Sequence, residues 1–150
     1  PIYKDFITNF VSQIIDFPFS YQVIPTFRIG LPGNRFVGEY HTDAKYNHPD
    51  FELNFNIGLS NCFKPCCLMS EKVSNTREFY PLECSYGEMF CFNHIDCLHG
   101  SDINTTDQTM VSIDFRVAMI PFYEEIDAKS VNMNSSFQIG DYFSKEIINS

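Results

Sequence analysis

Apolar residues in the first fifteen positions recur at helical spacing. In IYKDFITNFVSQII, residues Phe6, Ile7, Phe10, Val11, Ile14 and Ile15 form an i, i+3, i+4 stripe. This predicts an amphipathic helix over 2–15, ended by Pro18. Beyond it the period changes to two. FELNFNIGL sets Leu53, Phe55 and Ile57 on one face and Asn54 and Asn56 on the other. VSIDFRV separates Val111, Ile113, Phe115 and Val117 from Ser112, Asp114 and Arg116 in the same way. Further short runs, YQVIPTFRIGL, RFVGEYHTD, CCLMSE and GEMFCF, alternate with turn-rich stretches such as PGN, AKYNHPD, KVSNTREFYPLECSY and GSDINTTDQ. Short strands punctuated in this way predict an all-β sandwich or barrel with a helix packed on its outside. A polar strand face ordinarily meets solvent, and that is the first expectation for Asn54, Asn56, Ser112 and Arg116; the other reading is that they line a cavity. The chain, 1–150, reads as one domain without internal repeats. Residues 1–20 form its helical N-terminal segment, and 127–150 a polar, weakly ordered extension ending in a short helix.

Composition narrows the function classes. With 44% hydrophobic residues and sixteen Phe, the chain has enough apolar surface for a core. A net charge of −9 argues against nucleic acid as a partner, because such binders carry a basic face. No apolar run approaches the roughly 20 residues that span a membrane, and PIYKDFITNF has no export-signal pattern. A cytoplasmic protein acting on a small molecule, without a membrane partner, is the expectation; the oligomeric state is not encoded legibly. The six cysteines then read as reduced, packed thiols, and CFKPCC lacks the second matched pair of a zinc site.

The candidate chemistry lies in GEYHTDAKYNH. His41 and Asp43 are two apart, so an extended backbone aims both side chains the same way. Two His and one carboxylate on one face of a metal make the ligand set of non-haem Fe(II) oxygenases, and that requires a third ligand. His99, before Gly100 in DCLHGSDINTT, suits a strand end pointing into a barrel mouth. His94 reads as an ordinary hydrogen-bonded residue, and His48, before Pro49, as part of a loop over the site. Arg116, one strand downstream of His99, offers a planar fork for a carboxylate.

The order His-x-Asp, distal His, Arg resembles the Fe(II)/2-oxoglutarate-dependent dioxygenase superfamily. The segments FRIGLPGN, VGEYHTDAKYNH, ELNFNIGL, MSE, YGEMFCF, LHGSDINTTDQTMVSIDFRV and IP resemble its streptomycin-biosynthesis branch, over roughly residues 25 to 121. HGSDINTT followed by VSIDFRV is the most specific part. The resemblance implies a double-stranded β-helix, a cupin-like jelly-roll barrel. It implies that His41, Asp43 and His99 bind Fe(II), and that Arg116 holds the distal carboxylate of 2-oxoglutarate one cosubstrate length away. Ser112 and Asn54 are further candidate contacts to the cosubstrate. The reaction implied is hydroxylation of an unactivated C–H bond of a small polar metabolite by O2, coupled to decarboxylation of 2-oxoglutarate to succinate. Arg28, Lys45, Tyr46 and Asn56 are candidate substrate contacts, with Arg35 a further cation near the mouth. Two other readings stand beside it: a cupin-like metal-binding or sugar-modifying protein that makes no use of 2-oxoglutarate, with Arg116 paired to Asp114, and a non-enzymatic β-sandwich interaction module.

Overall fold

The computed structural model describes residues 2–149. It is mostly β, with two antiparallel sheets and one short N-terminal helix. The helix α1 spans Ile2–Asn9, and a 3-10 turn covers Val11–Gln13. The expected stripe is therefore present, but regular helix stops earlier than 15. Polar side chains compete for the backbone there: Thr8 donates to the Lys4 carbonyl, Ser12 to Thr8, and the Gln13 amide to Asn9. The 1–20 segment is also not all helical, because Phe19–Tyr21 forms strand β1.

The larger sheet is ordered β1-β8-β3-β6, with β2 (Thr26–Gly30) also paired to β8. Its centre is β8 (Met110–Met119), which pairs along its length with β3 (Glu52–Gly58). The register sets Arg116 opposite Asn54 and Ser112 opposite Gly58, with β6 (Met89–Phe92) on the far side of β3. The smaller sheet is ordered β5-β4-β7. It contains β4 (Leu68–Glu71), β5 (Phe79–Leu82) and the two-residue β7 (His99–Gly100). Strand β5 falls inside a stretch expected to be a connection. RFVGEYHTD, expected to be a strand, makes only isolated bridges at Arg35 and His41.

The polar face of the large sheet departs from the solvent expectation, because both faces are covered. The apolar face is the one that needs covering, and α1 covers it. Ile7, Val11 and Ile15 pack with Phe19, Phe55, Phe115 and Val117 in one cluster. Phe115 is fully buried, stacked on Phe55 and edge-on to Tyr3 and Phe6. The polar face is turned inward: Asn54, Asn56, Ser112, Asp114 and Arg116 are all buried. A buried polar face is costly unless its groups are paired, so its purpose is to be sought in what it faces.

The C-terminal extension is not a loosely held tail. Phe137, Tyr142, Phe143 and Ile148 are buried, with Phe51 and Ala118 among their neighbours in the core. Phe19 and Ile148 exchange two backbone hydrogen bonds, and the Val23 amide donates to Tyr142. The described residues of the extension, 127–149, have turns and bridges and no helix. Its aromatics, spread among Ser and Asn, give no periodic signal, yet Phe137, Tyr142 and Phe143 are packed into a buried cluster.

Candidate metal centre

Three elements bring the site together. Gly38–Tyr40 leads to His41, which bridges to His99 of β7. The two histidines exchange backbone hydrogen bonds, His41 N–H to the His99 carbonyl at 2.9 Å and the reverse at 2.8 Å. Paired residues of this kind project their side chains to one side of the ladder. Thr42 is extended, and Asp43 then opens a 3-10 turn, Asp43–Tyr46. One extended residue is enough to aim His41 and Asp43 at the same place.

His41, Asp43 and His99 each contribute one ligand atom to a group lying within 4.8 Å of one another. Asp43 Oδ1 stands 3.4 Å from His41 Nε2 and 3.3 Å from His99 Nε2. Both imidazoles are fixed from behind: Nδ1 of His41 meets the Glu39 carbonyl at 2.7 Å, and Nδ1 of His99 the Cys97 carbonyl at 3.0 Å. A carbonyl only accepts, so each Nδ1 carries a proton, and in its neutral form each ring would turn its Nε2 lone pair toward Asp43. Two lone pairs and a carboxylate oxygen then face one another. Only a cation, a metal or a proton, reconciles them. In line with this, hydrogen bonding to Asp43 raises the His41 pKa against the opposing effect of burial. Burial would raise that of Asp43, but bonds from His41, His94 and His99 and the charge of Arg116 hold it far below the carboxylate range. A ferrous ion fits this donor set, with two imidazole nitrogens, one carboxylate oxygen and an open side.

Arg116 reaches the same aspartate. Its Nη2 donates to Asp43 Oδ2 at 2.6 Å, Nε lies 3.5 Å from Glu52 Oε2, and Nη1 lies 3.3 Å from the Tyr142 hydroxyl and 3.8 Å from Asp114 Oδ2. Burial disfavours the guanidinium charge, but Tyr142 and the three carboxylates outweigh it and raise its pKa. The expected separation of one cosubstrate length from the ligand set does not hold. Anions do sit against the arginine, but they are the protein's own. Asp114 is in turn held by a fork from Arg28, Nε to Oδ1 at 2.6 Å and Nη2 to Oδ2 at 3.2 Å. His94, expected to be unremarkable, is 1% exposed and donates Nδ1–H to Asp43 Oδ2 at 2.9 Å. Sequence gave no signal for it beyond residue type. His48 bonds Glu52 at 2.8 Å.

The group opens into a cleft of about 730 Å³. Arg28, Lys45, Tyr46 and His48 line it with His41, Asp43 and Arg116, and Ser130–Met133 of the extension forms a wall. Asn54, Asn56 and Ser112 share the inner face but lie outside the cleft lining. Asn56 donates to Ser112 Oγ at 3.3 Å, so these two are occupied with each other, whereas the buried Asn54 Oδ1 has no hydrogen-bond partner among the described residues. Arg35 is engaged elsewhere, donating to the Ser101 carbonyl at 2.8 Å.

No protein-family profile matches the chain. It is 29% identical over 143 residues to the streptomycin biosynthesis protein StrG of Streptomyces griseus, covering 95% of this chain and 68% of that one. Solved structures sharing the fold include non-heme enzymes. The alpha-ketoglutarate-dependent epimerase SnoN of nogalamycin biosynthesis superposes with a TM-score of 0.64 over 94% of this chain and 71% of its own, at 13% identity. The non-heme monooxygenase ThoJ, in its nickel complex, gives 0.59 over 75% and 49%, at 12% identity. The carbocyclase SnoK, also alpha-ketoglutarate-dependent, gives 0.57 over 69% and 52%, at 13% identity. The chain thus spans about half the length of ThoJ and SnoK. Among the described residues no helix is long and apolar enough to cross a membrane.

Proposed function

We propose that the chain is a non-haem Fe(II), 2-oxoglutarate-dependent oxygenase of a small polar metabolite, with its two sheets forming a cupin-like double-stranded β-helix. The observation that carries this is the convergence of two carbonyl-anchored imidazoles on Asp43 Oδ1. An interaction module would have no use for it. The dependence of SnoN and SnoK on alpha-ketoglutarate supports the choice of cosubstrate.

His41, Asp43 and His99 would hold the iron, which supplies the activation of dioxygen. In the overall reaction one oxygen atom of O2 enters the substrate C–H bond as hydroxyl. The other enters succinate as CO2 leaves 2-oxoglutarate. The charge of the site suits an anionic cosubstrate. Three buried carboxylates, Asp43, Glu52 and Asp114, face two guanidiniums, Arg28 and Arg116, which leaves one negative charge. A divalent ion reverses that sign and favours a chelating dianion. Arg28 and Lys45, both on the cleft, would meet its distal carboxylate; Nη1 of Arg28 is not part of the fork to Asp114. Tyr46, edge-on to His41 at 5.2 Å between ring centroids, and the 130–133 wall face the space left for substrate. Such an enzyme would work in the cytoplasm, where ferrous iron and 2-oxoglutarate are present.

The test is succinate release from 2-oxoglutarate by iron-loaded protein across a library of polar metabolites. Stimulation by one compound class, lost in His99→Ala, supports the reading. Metal binding without any 2-oxoglutarate consumption would favour a metal-binding protein of other chemistry.

A further inference from the structure

Resting on the proposed metal centre, we infer that His94 and Arg116 are positioning residues that make Asp43 a one-oxygen ligand. The two oxygens of Asp43 have different surroundings. Oδ1 faces the two ligand imidazoles. Oδ2 accepts from Arg116 Nη2 at 2.6 Å and from His94 Nδ1 at 2.9 Å. Two donors at these distances take up the lone pairs of Oδ2 and fix the plane of the carboxylate. A carboxylate left free can chelate a metal through both oxygens; one clamped in this way offers only Oδ1.

The consequence concerns open coordination positions. Two imidazoles and one oxygen leave three of six positions free. A chelating cosubstrate takes two, and the third remains for a small molecule. A two-oxygen Asp43 would fill one of them and leave no room for both. The clamp is itself held. Arg116 is braced by Glu52, Asp114 and Tyr142. His94 is 1% exposed, with its edge against Phe92 at 6.2 Å between centroids. His94 also gives the Asp43 amide its backbone acceptor at 2.9 Å, so one residue fixes both ends of the aspartate.

The experiment uses the full chain loaded with Co(II) as a spectroscopic stand-in for iron, with three proteins: the parent, His94→Val and His94→Asn. Asparagine keeps a donor near the place of Nδ1, and valine does not. Affinity is read by metal titration, coordination by the visible d–d bands and by X-ray absorption, and folding by circular dichroism. The parent is expected to bind one equivalent with a one-oxygen carboxylate. His94→Val, folded, is expected to bind about ten- to a hundred-fold more weakly, with d–d bands shifted toward higher coordination. His94→Asn is expected to restore the parent spectrum. If folded His94→Val matches the parent in both affinity and bands, the positioning role is overturned while the metal centre stands. If His94→Val fails to fold, His94→Asn decides: parent-like bands support the clamp, and altered bands at unchanged donor geometry overturn it. A parent that binds no Co(II) overturns the metal centre and this inference together.

Discussion

His41 and His99 are hydrogen-bonded to each other twice through their backbones, and their rings lie 4.5 Å apart between centroids. Residues 58 positions apart in the chain are thus set side by side by the backbone. The pairing depends on a close approach next door. A Cβ on Gly100 would lie 2.8 Å from Tyr40 Cα and 2.9 Å from Tyr40 N. Gly100→Ala is therefore expected to push residues 40 and 41 away from β7 and to lower metal affinity while leaving the helix-covered core intact. Calorimetric metal titration beside a circular dichroism melt checks this. Unchanged affinity would mean that the ladder tolerates the methyl group.

Arg116 balances three buried carboxylates. Removing it in Arg116→Met leaves Asp43, Glu52 and Asp114 facing Arg28 alone. Breaking a buried pair by deleting one partner costs roughly 3–5 kcal/mol, and loss at that scale is expected in chemical denaturation. Arg116→Lys keeps a charge but cannot serve Asp43 and Glu52 from one plane, so it should fall between the two. A variant as stable as the parent would show that the carboxylates are neutral in the fold.

How much of this was legible in the sequence follows from what sets each feature. The alternation in β3 and β8 needs only neighbours two apart, so the strands were readable. Both faces are buried, one under α1 and the other turned toward the site, and no local pattern encodes a second cover; hence the polar face was assigned first to solvent. His41 and Asp43 were visible because they are close in sequence, and His99 because Gly100 marks a strand end. Arg116 was visible as a fork for a carboxylate and Asp114 as one partner for it, but the bond to Asp43 was not. Asp43 and Arg116 lie 73 residues apart in sequence and meet only in the folded chain. His94 gave no signal, since its importance lies in one hydrogen bond 51 residues away in sequence.

Glu71 carries a pH dependence of stability. Its carboxylate accepts from the amides of Leu98 at 2.9 Å, Arg77 at 2.7 Å and Asn75 at 3.2 Å. It thereby ties β4 to the residue before His99. The Leu98 bond, opposed by burial and helped by the other two, lowers its pKa. A lowered folded-state value means that the unfolded chain binds the proton more readily. The stabilisation is therefore present above the ordinary glutamate range and fades as pH falls through the folded-state value. Glu71→Gln should melt below the parent at neutral pH, and the gap should close in acid. A gap that stays constant with pH would assign the effect to shape and not to charge.

Phe115→Ala tests the covered face. The ring is fully buried against Tyr3, Phe6 and Phe55. Deletion of such a side chain costs about 3–5 kcal/mol, readable as a lower denaturant midpoint. A loss well under that would mean that α1 docks loosely.

The metal centre itself is tested most directly by anaerobic titration of the protein with Fe(II) followed by 2-oxoglutarate, reading the visible metal-to-ligand charge-transfer band of the chelate. The account predicts one equivalent of iron and a band that saturates with 2-oxoglutarate in the parent, with both lost in His41→Ala. Iron that binds equally well to His41→Ala, or a parent that binds no iron, would contradict it.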